Sequence, residues 1–246
     1  MSLLHIGDAD IALERLGCAG PVIVFEAGRG TDMRSWDDVA RPLAAFARIV
    51  LYDRPGIGRS GPRHGTDVVL ASTVADELAA CLHASDMPPP YRLVGHSLGG
   101  LYMQAFARQY PGETAAVVLV DSASPLEPPG VFGSTVPLEP GSIAAREEAG
   151  FAPSAAAMLV GPPFPPVPLI VLVATDHDVT PDREALWLPV QEQTAALSPK
   201  GRFQIVQGAG HFIQKDRPQV VIEAVLEAMR EAGMQPQDLR QADQDA

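Results

Sequence analysis

Apolar residues along the chain fall into short, mostly continuous runs: Pro21 to Phe25 (PVIVF), Arg48 to Tyr52 (RIVLY), Tyr91 to Val94 (YRLV), Ala116 to Val120 (AVVLV), Pro168 to Val173 (PLIVLV) and Arg202 to Val206 (RFQIV). Uninterrupted apolar strands are what a parallel sheet needs when both of its faces are covered. Two earlier stretches, Leu3 to Ile6 and Ile11 to Leu16, alternate instead and read as an edge hairpin. Between the runs, apolar residues recur with helical period at Trp36 to Ala47, Thr73 to His83, Leu98 to Tyr110, Asp182 to Leu197 and Pro218 to Met229. Thr73 with Asp76 has the form of a capping box, and Asp216 stands where an N-cap is expected before Pro218. The alternation of strand and helix predicts an α/β fold: a doubly wound, mostly parallel sheet of about eight strands with helices on both faces.

One segment breaks the rhythm. From Ser122 to Val167, 10 of the chain's 24 prolines fall within 46 residues, with short helical stretches only near Ser142 to Ala149 and Ser154 to Val160. An irregular insertion of this length in a compact domain usually serves as a lid or binding loop. The chain is therefore divided into a core made of residues 1–121 and 168–232 and a small Pro-rich cap, 122–167, inserted after the sixth strand. The polar end from Gly233 to Ala246 has no apolar period and is expected to be frayed.

Composition narrows the function classes. Eighteen basic and 30 acidic side chains give a formal net charge of -12, which repels phosphate backbones and anionic membranes and argues against a nucleic-acid partner. Hydrophobic residues at 46% and charged residues at 20% are ordinary for a globular domain. Cys18 and Cys81 lie far apart with no CxxC spacing, so neither a disulfide framework nor a cysteine-based zinc site is expected. The first residues, MSLLHIGDADIALERLG, carry acids where a secretory signal needs bases, and no apolar run approaches the ~20 residues of a membrane span. The expected compartment is the cytoplasm.

The chemistry concentrates in YRLVGHSLGGLYMQAF, residues 91–106. Gly95-His96-Ser97-Leu98-Gly99 matches G-x-S-x-G, directly after an apolar run and directly before a helical one, the strand-turn-helix context that gives the motif its meaning. A serine on that sharp turn projects its hydroxyl above the sheet, and the following helix aims its free N–H groups at the same point. A hydroxyl needs a base. His211, in GAGHFIQKDRP after the last apolar run, sits where a small-residue loop can carry an imidazole over the carboxyl edge of the sheet. His5, His64, His83 and His177 have no comparable setting, and His96 is expected to pack beside the turn without acting as the base. A second oxyanion donor is expected from the loop after PVIVF, Glu26 to Thr31 (EAGRGT), which makes the backbone amides of Arg29 and Leu98 the candidate oxyanion hole. That loop lacks both the G-x-G-x-x-G spacing and the Walker lysine, so phosphate binding is not indicated.

GHSLGG around Ser97, EAGRG, YDRPGIGRS at Tyr52 to Ser60, VLVDSASP at Val118 to Pro125 and GAGHFIQKDRP around His211 together resemble the α/β-hydrolase superfamily, in its serine esterase-like branch. The resemblance covers nearly the whole chain and is weakest across Glu127 to Pro166. It departs from the pattern where EAG replaces the His-Gly pair of many relatives, so only the backbone role carries over there. The resemblance implies the order nucleophile, acid, base, and an acid after the strand preceding the last one. That strand runs into Ala174-Thr175-Asp176-His177-Asp178, so Asp176 is the expected partner of His211. Asp178, two residues on, and Asp121, ending VLVDS, remain alternatives. A metal site at Asp176, His177 and Asp178 is disfavoured, because three consecutive side chains do not easily converge on one ion.

The resemblance implies acyl transfer to water through an acyl-enzyme on Ser97, with His211 as base and the acid orienting it. A serine at the turn argues against the dehalogenase and epoxide hydrolase relatives, which use aspartate. Small carboxylic esters of short to medium acyl chain are the expected substrates, with no cofactor and no metal. Lactones, amides including aminopeptidase substrates, carbon–carbon bonds and peroxyacid formation stay open, as does a non-catalytic ligand-binding protein on the same fold. In the cap, Leu126, Phe132, Phe151, Met158, Leu159 and Phe164 are candidates for either substrate contact or packing. Glu127, Glu139, Glu147 and Glu148 are expected to be solvated.

Overall fold

The eight expected strands form one sheet in a computed structural model that describes residues 1–65, 68–132, 137–177 and 179–233. They are β1 Ser2–Ile6, β2 Ala9–Leu16, β3 Val22–Glu26, β4 Arg48–Tyr52, β5 Tyr91–His96, β6 Thr114–Val120, β7 Leu169–Ala174 and β8 Gly201–Val206, in the order β1-β2-β4-β3-β5-β6-β7-β8. The hairpin β1–β2 is antiparallel and meets β4 antiparallel, while every pairing from β4 through β3, β5, β6 and β7 to β8 is parallel. Register aligns the carboxyl ends that matter: Glu26 of β3 faces Gly95 of β5, His96 faces Val120 of β6, and Val120 faces Leu172 of β7. The turns leaving these four strands therefore meet over one edge of the sheet.

The continuous apolar runs are explained by two cores, one on each face. Because successive strand residues point to opposite faces, Val24, Leu93, Val117 and Val171 enter one core, while Ile23, Phe25, Val94, Val118 and Ile170 enter the other. The first core is closed by α2 (Ala71–Ala84) and α3 (Leu98–Gln109) through Leu78, Leu82, Leu101 and Phe106. The second is closed by α1 (Asp37–Leu43) and α7 (Pro218–Glu231) through Val39, Leu43, Val225 and Met229. Each such side chain, fully removed from water, is worth about 1.5–3 kcal/mol of transfer free energy. β3 and β7 are buried at every position, as a both-faces-covered strand must be, whereas the edge strand β8 is half open.

Several expected boundaries shift. α2 begins at Ala71, with Leu70 in the extended conformation before it, so Thr73 and Asp76 do not form a capping box. Asp76 instead accepts hydrogen bonds from Gln109 and Tyr110. Asp216 does not cap α7; it closes α6 (Ile213–Asp216) and accepts from the Gly210 amide. In the cap, the two expected helical stretches are one helix, α4 (Ile143–Val160), which continues through Pro153. Tertiary hydrogen bonds explain its persistence: Val69 N donates to Arg146 O at 3.0 Å, and Ala71 N donates to Ser154 Oγ at 2.9 Å. The helix is stapled to the segment preceding α2. α5 (Pro181–Ala195) follows the β7 loop. The polar end after Gly233, and Asp178, lie outside the described residues. No described helix is long and apolar enough to cross a membrane.

The staple depends on Gly150, where a Cβ would fall 1.8 Å from the carbonyl oxygen of Val69. Alanine would favour the helix by about 1 kcal/mol through propensity, but overpacking against backbone costs about 1–3 kcal/mol. Gly150→Ala should therefore lower the melting temperature by roughly 2–4 °C or more. A thermal unfolding curve shifted upward would show that α4 does not press on this segment.

Candidate active site

The site starts with a forced backbone. Between β5 and α3, Ser97 takes φ 51° and ψ -126°, a left-handed region that costs a non-glycine residue about 1–3 kcal/mol and persists only where its surroundings dictate it. The surroundings are tight. A Cβ on Gly95 would lie 2.7 Å from Gly100 Cα, and one on Gly99 would lie 2.4 Å from Ala27 O, so strand, helix and the β3 loop pack backbone to backbone. Ser97 N donates to Val120 O at 3.1 Å, and Ala123 N donates to Ser97 O at 2.9 Å. The serine hydroxyl is left pointing into a cavity of about 540 Å³.

The loop between β8 and α6 delivers the imidazole. His211 Nε2 lies 2.9 Å from Ser97 Oγ, and His211 Nδ1 lies 2.7 Å from Asp121 Oδ2. A carboxylate only accepts, so Nδ1 carries the proton and Nε2 is free to accept from the serine hydroxyl. The loop is fixed from three directions. Thr175 N and Asp176 N donate to Ala209 O at 3.2 and 3.1 Å, Gly210 N donates to Asp216 Oδ2 at 2.8 Å, and His96 Nε2 donates to His211 O at 2.9 Å. His96 is buried beside the turn, with its ring 4.7 Å from that of His211. Burial, with the His211 ring adding to it, pushes the His96 imidazole down to about 3, so it is a neutral donor and a support, as expected.

Asp121, immediately after β6, faces His211; Asp176 does not. The Asp121 carboxylate is fully buried and receives four donors. Oδ1 accepts from Ala174 N at 3.1 Å and Trp187 Nε1 at 2.8 Å, and Oδ2 accepts from His211 Nδ1 and His177 Nε2, each at 2.7 Å. Burial alone would raise its pKa, but the hydrogen bonds and charges of His177 and His211 outweigh it and hold the carboxyl well below the usual range. The expected acid, Asp176, is exposed. The reason is local. β7 ends at Ala174, whose amide is spent on Asp121, and the chain then turns so that His177, one residue past Asp176, is the side chain aimed inward. His177 thus also departs from expectation: it joins the cluster through Nε2, with Nδ1 at 2.8 Å from Glu184 Oε2 of α5. Of the alternatives, Asp178 lies outside the described residues.

This carboxylate bears on metal binding as well. Asp121, His177 and His211 place possible ligand atoms within 4.8 Å of one another. A carboxylate has about four lone-pair directions, and all four are taken by N–H donors here. The cluster is a completed hydrogen-bond network.

The amide of Leu98 opens α3 and has no intrahelical acceptor by position; Leu98 and Arg29 line the cavity beside Ser97. The β3 loop that carries Arg29 is held by a buried ion cluster the sequence did not disclose. Arg54 donates through Nε to Glu147 Oε1 at 2.8 Å, through its terminal nitrogens to Ala27 O and Gly28 O at 2.8 Å each, and to Glu26. Tyr52 donates to the other oxygen of Glu26, and Glu147 Oε2 accepts from Gly30 N at 2.8 Å. The carbonyls of Ala27 and Gly28 therefore face Arg54. Burial raises the Glu26 carboxyl to about 6, opposed by Arg54 and Tyr52. Glu147, expected to be solvated, is instead the bridge by which α4 fixes the loop after β3.

Of the apolar cap candidates, Phe132 and Phe151 line the cavity, with Trp187 of α5, while Met158 and Phe164 belong to the core, Leu159 is exposed and Leu126 does not line the cavity. Glu127 and Glu148 line it too; Glu127 is raised to about 7 by burial. Glu139 is exposed. Arg29 pairs with Glu148, and both line the cavity.

A family model for the alpha/beta hydrolase fold matches residues 21–140. YqjL of Bacillus subtilis is 36% identical over 109 residues, 44% of this chain and 42% of that protein. A pimeloyl-[acyl-carrier protein] methyl ester esterase of Aeromonas salmonicida is 34% identical over 113 residues, 46% of this chain and 42% of its own length. The matched region thus spans less than half the length of either relative. In fold, a thermophilic esterase from Thermogutta terrifontis superposes with a TM-score of 0.77 at 21% identity, covering 95% of this chain and 100% of that one. With the sheet order, the strained serine turn and these matches in agreement, the chain has the α/β-hydrolase fold, and its residues 21–140 match the family model of that fold.

Proposed function

We propose that this protein is a serine hydrolase of small carboxylic esters, acting through an acyl-enzyme on Ser97 with His211 as base and Asp121, not Asp176, as the acid. The observation that carries the reading is the linear contact from Ser97 Oγ to His211 Nε2 at 2.9 Å and from His211 Nδ1 to Asp121 Oδ2 at 2.7 Å, ending at a strained serine. In the reaction, the Ser97 hydroxyl attacks the ester carbonyl while its proton passes to His211 Nε2. The carbonyl oxygen becomes an oxyanion facing the amides of Leu98 and Arg29, where the positive end of α3 stabilises it. His211 then gives the proton to the departing alkoxide. Water enters, His211 accepts a proton from it, and a second tetrahedral collapse frees the acid and restores Ser97. A cavity of about 540 Å³ walled by Phe132, Phe151 and Trp187 supports short to medium acyl chains, and the esterases among the similar proteins favour esters over the other acyl derivatives. We take the site of action to be the cytoplasm.

Ser97→Ala should abolish hydrolysis across a panel of p-nitrophenyl esters of graded chain length while leaving the melting temperature within a few degrees. Turnover above ~1% of wild type would remove Ser97 from the role of nucleophile. Wild-type activity should peak at short to medium chains; a steady rise toward long-chain esters would contradict the size argument. Complete inertness toward esters together with no labelling by a fluorophosphonate would favour a binding protein on this fold.

The two aspartates separate cleanly. Asp121→Asn should slow ester turnover by about 10³ to 10⁴, because the amide cannot stabilise the His211 imidazolium or hold its tautomer. Asp176→Asn should retain most activity. The opposite ranking would restore the β7 loop as the source of the acid.

A further inference from the structure

Asp121 carries two imidazoles, and the reaction as drawn uses only one of them. His177 faces a carboxylate at each ring nitrogen: Asp121 Oδ2 lies 2.7 Å from Nε2, and the two Glu184 oxygens lie 2.9 and 2.8 Å from Nδ1. Ionised carboxylates accept and never donate. Both contacts can be hydrogen bonds at once only if both nitrogens bear protons. We propose that His177 is a positioning residue held as an imidazolium between Asp121 and Glu184, which fixes the triad acid and restrains protonation of His211 in the resting enzyme. The proposal rests on the reading of Ser97, His211 and Asp121 as a working triad.

The packing keeps this ring in place. Only about a tenth of the side chain, 11%, is exposed, and the His177 ring meets the Trp187 indole edge-on at 5.6 Å. That same indole donates to Asp121 Oδ1, so α5 and the β7 loop grip the carboxylate together. Among the described residues, the charged and titratable groups facing the ring are Asp121 from the end of β6, Glu184 from α5 and His211 from the β8–α6 loop, with ring centroids 6.4 Å apart for the two histidines. Glu127 from the loop after β6 and Arg183 of α5 line the same cavity. Burial works against a charge here, but hydrogen bonding and attraction from Asp121 and then Glu184 outweigh it and raise the imidazole to about 9.

The charge count explains what the arrangement does. At rest, His177 gives one positive charge against the two negative charges of Asp121 and Glu184. When the Ser97 proton reaches His211 Nε2, a second positive charge appears, and the cluster balances. In that step the new cation is also matched by the oxyanion formed on the substrate, whereas protonation of His211 from solvent places a cation beside His177 with no such counterpart.

The test compares kcat/KM against pH for wild type and three variants on one p-nitrophenyl ester. The acid limb reports protonation of the free enzyme's base. His177→Gln removes the cation and should move that limb up by about one pH unit. His177→Arg keeps the charge and should leave the limb near its wild-type position. Glu184→Gln, which removes a negative charge, should move it down. Opposite displacements by the two glutamine variants cannot come from loosened packing, and the downward shift in Glu184→Gln remains readable by itself if His177→Gln folds poorly. A second readout needs no turnover: ¹⁵N spectra of histidine-labelled protein should show both His177 nitrogens protonated at pH 7.5. A neutral His177 in those spectra, or a limb unmoved in both glutamine variants, overturns the proposal. An inert enzyme with a charged His177 would instead count against the triad reading.

Discussion

The buried carboxylate of Asp121 is the constraint around which this molecule is organised. A fully buried carboxylate is tolerable only when each of its lone pairs meets a donor. Four donors do so here, and each comes from a different part of the chain: the last amide of β7, an indole on α5, an imidazole in the β7–α5 loop and another in the β8–α6 loop. Removing the carboxylate group would leave four donors without their acceptor. Satisfying it brings the whole carboxyl edge of the sheet to one point, 2.7 Å from the ring that contacts the serine. The Asp121 backbone shares the cost, with φ at 43° and its amide bonded to Leu172 O.

A second buried charge cluster does the same for the opposite side of the cavity. Arg54 collects the carbonyls of Ala27 and Gly28 and two glutamates, one from β3 and one from the cap helix. Breaking one partner of such a pair is strongly destabilising, while the complete set is close to neutral for stability. Its physical effect is geometric: it fixes the loop after β3 by its Ala27 and Gly28 carbonyls. Helix α4 therefore helps to hold this side of the cavity, since Glu147 accepts from the amide of Gly30 directly.

The sheet, its hairpin edge and the strand-serine-helix turn could be read from the sequence because each follows from local rules. Continuous apolar runs demand a covered parallel strand, and G-x-S-x-G between a strand and a helix leaves few backbone solutions. His211 could be read for the same reason, from its place after the last strand. The carboxylate that faces His211 could not be fixed in this way. Asp176 and Asp121 both end apolar strands, and choosing between them needs the direction of a side chain three residues beyond β7, which depends on how Ala174, Thr175 and Asp176 spend their amides. The one signal available was VLVDS itself, an aspartate closing an entirely apolar central strand, where only a functional or paired carboxylate is tolerated. The Arg54 cluster was illegible because its members are separated by up to 121 positions, from Glu26 to Glu147. The single helix through Pro153 was missed because a proline rule is local, whereas the bonds from Val69 and Ala71 that hold α4 are not.

The central claim is geometric: a carbonyl bound at Ser97 meets the Leu98 and Arg29 amides while His211 bridges the serine and Asp121. A crystal structure of the protein after reaction with a short alkyl phosphonate tests it most directly. The account predicts a covalent bond to Ser97 Oγ and a phosphoryl oxygen about 2.7–3.1 Å from both amides, with His211 Nδ1 still on Asp121. A phosphoryl oxygen turned to solvent, or His211 swung onto Asp176, would contradict it.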